Sequence, residues 1–181
     1  LLPDGRVLAR SKSGYFKVWD SNTGRMLFNF ESPSCCYPSS SNALLISNDR
    51  ILIWNEFGHD LRLHETKDGR CVAVFKGHTG FVTNALVLPG NRVVSWSHGV
   101  QSVAEIPDAD ESHDYCPRIW DSFTGECLAV LVGHTDDVQA MLAFSDGRLI
   151  SWSLDDTIRI WNSVDGEPLA KLEAHGYIKG A

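Results

Sequence analysis

No apolar run in this 181-residue sequence approaches the ~20 residues that a membrane-spanning helix requires. Basic residues are also scarce: 16 Lys and Arg stand against 23 Asp and Glu, a formal charge of −7, and no Lys/Arg cluster occurs. Such clusters are what grip a phosphate backbone, so neither DNA nor RNA is expected as a direct partner. Nor is a membrane. At 43% hydrophobic residues the chain is far from a disordered composition. If it forms one compact unit, it buries roughly 70% of its unfolded surface.

The cysteines, Cys35, Cys36, Cys71, Cys116 and Cys127, are odd in number and lack CxxC spacing, and no signal-peptide pattern opens the chain. Reduced thiols in a cytoplasmic protein are therefore expected. Cys35 and Cys36 are adjacent, where a disulfide is strained, and no basic residue lies within several positions to lower a thiol pKa. They read as ordinary loop thiols. Cys71 and Cys127 occupy nearly one repeat position and read as small core or edge residues. Helical periodicity is absent, and no cofactor is implied. The chain starts at Leu1 without a Met and stops at Ala181, so a piece of a larger protein is expected.

What is present is a repeat. Lys17-Val18-Trp19-Asp20, Arg62-Leu63-His64-Glu65, Arg118-Ile119-Trp120-Asp121 and Arg159-Ile160-Trp161-Asn162 are copies of one segment. A glycine follows the Trp or His by five residues in each copy: Gly24, Gly69, Gly125 and Gly166. Nine residues later stand Pro33, His78, His134 and His175. Upstream, Arg6, Arg50, Arg92 and Arg148 each open an apolar run. The steps between Trp or His positions are 45, 56 and 41, and removing about fifteen extra residues from the third copy brings the middle step to 41. Each period holds short aliphatic runs between turn segments such as Pro3-Asp4-Gly5, Pro89-Gly90-Asn91 and Ser145-Asp146-Gly147, where glycine reverses the chain cheaply. The fourth copy predicts strands at 138–144, 148–153, 157–162 and 167–173.

Four copies in register resemble the WD40 repeat family over nearly the whole chain. The carriers are Gly77-His78, Gly133-His134, the Trp19-Asp20 and Trp120-Asp121 dipeptides, and the run from Ser151 to Trp161. The resemblance implies an all-β protein, a WD40-type β-propeller forming a partial ring of about four four-stranded blades. The blades fall at approximately 1–30, 40–76, 82–132 and 138–173, and a further strand starts at 177–181. The first blade has three strands. Since family propellers most often have seven or so blades, either sequence is missing at both ends or two chains close a ring as a homodimer.

In such repeats, by resemblance, a His, a Ser, an Asp and a Trp form one hydrogen-bonded chain. The third copy offers His78, Ser95, Asp114 and Trp120; the fourth offers His134, Ser151 (or its same-face neighbour Ser153), Asp155 and Trp161. A His–Asp–Ser set also activates serine nucleophiles. Its recurrence blade by blade, without a G-x-S-x-G elbow, favours a structural role and no catalytic residue. The first two copies depart from the pattern. Trp19 is accompanied by Ser13 and Pro33, while His64 replaces the Trp and Gly58 the Asp, so these blades should be less stable. His64 reads as a packed residue. Trp54, Trp96 and Trp152 alternate away from the set and are expected to pack on an adjacent blade.

Family members bind partners through the loops of one face. Two irregular segments fall there, 31–41 and the longer 98–113. The latter carries Glu105, Asp108, Asp110, Glu111 and His113 without a Lys or Arg. Long loops in compact domains are often functional, so the expected function is a non-catalytic protein-interaction scaffold. A basic or amphipathic protein or peptide segment would dock on this loop. The alternative is a metal-dependent binder or enzyme using 98–116, with Asp108, Asp110, Glu111, His113, Asp114 and Cys116 as ligands, although this set matches neither a closed zinc site nor an EF-hand. No metal is expected.

Overall fold

The computed structural model describes residues 2, 4–11, 15–31, 41–55, 57–98 and 115–173. These hold fifteen strands and no helix. The first sheet contains β1 (Val7–Arg10), β2 (Tyr15–Trp19) and β3 (Met26–Glu31). The second runs β4 (Ser41–Ser47), β5 (Arg50–Asn55), β6 (Leu61–Glu65) and β7 (Cys71–Phe75). The third contains β8 (Phe81–Leu88), β9 (Arg92–His98), β10 (Arg118–Asp121) and β11 (Cys127–Val130), and the fourth β12 (Val138–Ala143), β13 (Arg148–Ser153), β14 (Thr157–Asn162) and β15 (Pro168–Glu173). Each sheet is an antiparallel meander whose hydrogen-bonded order follows the chain, giving one three-stranded and three four-stranded blades in an open arc. The fourth blade's strands agree with the expected ones to within a residue.

The Asp of the recurrent Trp-Asp pair has a local task. Asp20 Oδ1 accepts the backbone N–H groups of Asn22 and Thr23 at 2.8 and 2.9 Å, and Asp121 Oδ1 those of Phe123 and Thr124 at 2.8 Å each. Asn162 serves Val164 in the same way at 2.9 Å. These side chains satisfy turn donors that the ladder leaves free. The glycine that follows is required twice over at Gly69 and Gly125, whose φ angles are 75° and 74°. A Cβ at either would stand 2.6 Å from a ring carbon of the preceding blade, Phe30 and Phe75 respectively.

Three apolar clusters lie between consecutive blades. Phe16, Val18 and Phe30 pack with Ile51 and Ile53; Leu52, Trp54, Leu61, Leu63 and Phe75 with Val82, Ala85, Val93 and Trp120; and Val94, Trp96, Ile119 and Leu131 with Val138, Met141, Leu149 and Trp161. Trp54 and Trp96 thus pack on the next blade, while Trp152 is half-buried. Each fully buried aliphatic side chain contributes about 1.5–3 kcal/mol. The arginines that open the second strands cross the same gaps. Arg6 donates to Thr66 O and Thr66 Oγ1, Arg50 lies 4.6 Å over the Phe123 ring, and Arg92 donates to Ser163 O at 2.9 Å.

Candidate functional site

The fourth blade assembles a directional chain of hydrogen bonds. Trp161 Nε1–H donates to Ser151 Oγ at 2.8 Å, and Ser151 Oγ lies 2.7 Å from His134 Nε2. His134 Nδ1 lies 2.8 Å from Asp155 Oδ2. One assignment satisfies every partner: Nδ1 carries the imidazole proton and gives it to the carboxylate, while Nε2 accepts the serine hydroxyl. Burial lowers the His134 pKa, opposed by the Asp155 hydrogen bond, so the ring is neutral. Burial also pushes the Asp155 carboxyl up, but hydrogen bonds from Thr157, His134 and the Thr135 N–H outweigh it and hold the pKa at about 2. Ser153 takes a different place: it donates to Asp136 O at 2.8 Å and accepts the Asp155 N–H at 3.1 Å.

The third blade repeats the inner links. Trp120 Nε1–H donates to Ser95 Oγ at 2.8 Å, and Ser95 Oγ lies 2.8 Å from His78 Nε2. Ser97 Oγ is 3.2 Å from His78 Nδ1, a contact that the repeat pattern did not indicate. Asp114 lies outside the described residues. Strand register explains the convergence. Ser95 stands opposite Arg118 as Ser151 does opposite Arg159, and Trp120 opposite Val93 as Trp161 does opposite Leu149. This shared register brings the Trp, Ser and His positions together in both blades.

In the second blade the serine position holds Ile53, and His64 stands opposite Ile51 in the tryptophan slot. His64 is buried, its Nδ1–H donates to Gly69 O at 2.9 Å, and its ring stacks on Phe30 with centroids 5.0 Å apart. Burial lowers its pKa as well. Its Nε2 is buried and has no hydrogen-bond partner.

Chemically, the Ser–His–Asp set of the fourth blade and the Ser–His pair of the third resemble a nucleophile relay only in composition. Ser95 and Ser151 are 0% exposed, and each hydroxyl oxygen already accepts an indole N–H. Acyl transfer needs room for a carbonyl about 3 Å from the nucleophile and from two oxyanion donors. Ser13, Pro33, Cys35, Cys36, Glu105, Asp108, Asp110, Glu111 and His113 lie outside the described residues. The segment carrying the last five leaves the blade after His98, the end of its second strand, and returns before Arg118, the start of its third. Among the described residues no group of three or more His, Cys, Asp and Glu is placed to hold a metal ion. Cys71 and Cys127 are exposed thiols outside any disulfide, and among the described residues no helix is long and apolar enough to cross a membrane.

Sequence reasoning missed an aromatic group on the rim where second-to-third-strand connections lie. Phe57, 44% exposed, and His59 pack on Phe81 with centroids 5.9 and 5.2 Å apart. Single aromatics in a loop carry no periodicity, so no pattern could have revealed them.

The family model described as "WD domain, G-beta repeat" matches residues 125–162, the stretch that contains all of His134, Ser151, Asp155 and Trp161. The chain is similar to WD repeat-containing protein pop2 of Schizosaccharomyces pombe, 32% identical over 97% of this chain and 27% of the relative. It is also similar to nuclear distribution protein nudF of Aspergillus niger, 25% identical over 96% of this chain and 40% of the relative. The chain therefore spans well under half the length of these curated relatives. The crystal structure of the WD40 beta propeller domain of Doa1 superposes with a TM-score of 0.63 at 21% identity, over 94% of this chain and 51% of that one.

Proposed function

The chain belongs to the WD40 repeat family, and we propose that it is a non-catalytic scaffold, part of a larger protein, that binds protein partners through loops on one face of a β-propeller. The observation that supports this reading most is the division between interior and rim. The polar side chains of chemical interest are buried and bonded to one another, while the connections between second and third strands differ greatly from blade to blade. Three residues separate Ser153 from Thr157, whereas nineteen separate His98 from Arg118. Rigid blades with variable connections place specificity in the loops. The tetrad residues His78, Ser95, Asp114 and Trp120, with His134, Ser151, Asp155 and Trp161, would maintain the scaffold.

The partner in this proposal is a basic or amphipathic protein segment docked on Glu105, Asp108, Asp110, Glu111 and His113. Nucleic acid, membrane and cofactor have no part in it, and the free thiols fit a cytoplasmic location. Deletion of 99–112 tests it. A partner captured by the intact chain should be lost from the deletion variant while its circular dichroism spectrum and melt are preserved. Retained capture would move the docking site elsewhere. Heat evolved with Ca²⁺, Mn²⁺ or Zn²⁺ by the intact chain and not by the variant would instead favour a metal-dependent binder or enzyme.

A further inference from the structure

A continuous stripe of side chains crosses three blades on the rim beside that connection. At one end Phe57 and His59 clasp Phe81. Their loop is held by three bonds: Phe57 N–H to Asn55 Oδ1 at 2.8 Å, Val82 N–H to Gly58 O at 2.9 Å, and His59 Nδ1–H to Gly80 O at 2.9 Å. Phe81 is the cross-strand partner of His98, and a Cβ on Gly80 would collide with His98 O. His98 Nδ1 in turn lies 3.1 Å from Asp137 Oδ2 in the next blade. Asp136 Oδ1 accepts the Asp137 N–H at 2.7 Å, and Asp137 O accepts the N–H of Leu154, which is 44% exposed. Tyr115 belongs to the same neighbourhood: its hydroxyl pKa is raised by burial and by the charges of Asp136 and Asp137.

We propose that this stripe, from Phe57, His59 and Phe81 through His98 to Asp136 and Asp137, is a docking surface for an extended peptide segment that pairs an aromatic residue with a basic one. The aromatic anchor enters the exposed Phe57–Phe81 group, where ring pairs gain edge and offset contacts. The basic residue meets the two neighbouring aspartates, whose charge disfavours an acidic peptide or a phosphate. The loop is already hydrogen-bonded in place, so little ordering cost opposes binding. This inference rests on the scaffold reading above and gives it a partner chemistry.

The test uses the 181-residue chain and fluorescein-labelled Gly/Ser dodecapeptides that carry one Phe and one Arg two to five residues apart, read by fluorescence anisotropy. Control peptides replace Arg by Glu or Phe by Ala. At least one Phe/Arg spacing should bind saturably, and each control should bind about tenfold or more weakly. Phe57→Ala and Asp137→Asn should each lower affinity about tenfold while the circular dichroism spectrum shows the fold retained, and Asp137→Lys should reverse the preference toward the Glu peptide. Absence of saturation up to about 1 mM, equal binding of Arg and Glu peptides, or indifference to Phe57→Ala and Asp137→Lys would overturn the proposal. Peptide binding that survives these substitutions but is lost on deletion of 99–112 would overturn the stripe while leaving the scaffold reading intact. Failure of both peptide binding and partner capture would sink both.

Discussion

At the residue scale, the buried polar chain of the fourth blade holds the largest single stakes. His134→Ala removes the acceptor of the Ser151 hydroxyl and the donor to Asp155 together. We expect a loss of about 1–3 kcal/mol in urea denaturation, the scale for leaving buried partners unsatisfied. An unchanged midpoint would refute a scaffold role for the tetrad. The same residues set an acid limit. His134 and His64 have folded pKa values below 6.5, so the unfolded chain binds protons first as pH falls. Their contribution is complete above pH 6.5 and shrinks below it. Asp155 follows lower down: its contribution is present above 3.8 and is lost as pH drops toward about 2. Because the group is partly solvated, this amounts to about 1–2 kcal/mol. Melting temperature against pH should fall in two stages, and His134→Gln should remove part of the upper one.

At the element scale, the third-to-fourth-strand turn is where a blade meets its predecessor. Gly125→Ala would drive a methyl into Phe75 while holding an L residue at φ 74°. A loss of more than about 2 kcal/mol is expected from strain and clash together. Gly24 has φ 66° but nothing within 4 Å of the added Cβ. Gly24→Ala should therefore cost only about 1 kcal/mol, the conformational part alone. Equal losses in thermal denaturation would show that blade-to-blade contact is not what selects glycine here. Neighbour packing is also invisible in a repeat alignment. The recurrence of Arg6, Arg50 and Arg92 is plain in sequence, but their reach to Thr66, Phe123 and Ser163 of the following blade depends on how the sheets stack.

At the scale of the whole molecule, the arc ends in unmatched halves of one contact. Ile150, Trp152 and Ile160 are half-buried where their counterparts Val94, Trp96 and Ile119 are covered by the next blade, and Leu172 is 49% exposed. Among the described residues Arg148 contacts Asp146 and the Phe144 ring of its own blade, and nothing lies within 4 Å of a Cβ built on Gly24. Exposed apolar faces and strand edges associate. Light scattering after size-exclusion chromatography should show self-association of this chain. A discrete dimer with a cooperative melt would fit two arcs closing one ring. A monomer at high concentration would contradict the expectation and assign these faces to further blades of a longer polypeptide.

The repeat period and the turn glycines determined by themselves that this chain forms repeated meanders of short strands, and the Trp, Ser and His positions carried the resemblance that implied the WD40 type. They could do so because strand alternation and turn geometry are local, with a period short enough to recur visibly. The identity of Ser151 rather than Ser153 as the tryptophan's acceptor was decided by cross-strand register. Ile53 opposite Arg62 and His64 opposite Ile51 show how the second blade replaces that chain with apolar packing. The arginine bridges, the second reason for Gly69 and Gly125, and the stripe from Phe57 to Asp137 came only with tertiary structure. Each joins residues from different blades, and the distance between blades is set by how their apolar faces pack, a quantity no single repeat contains.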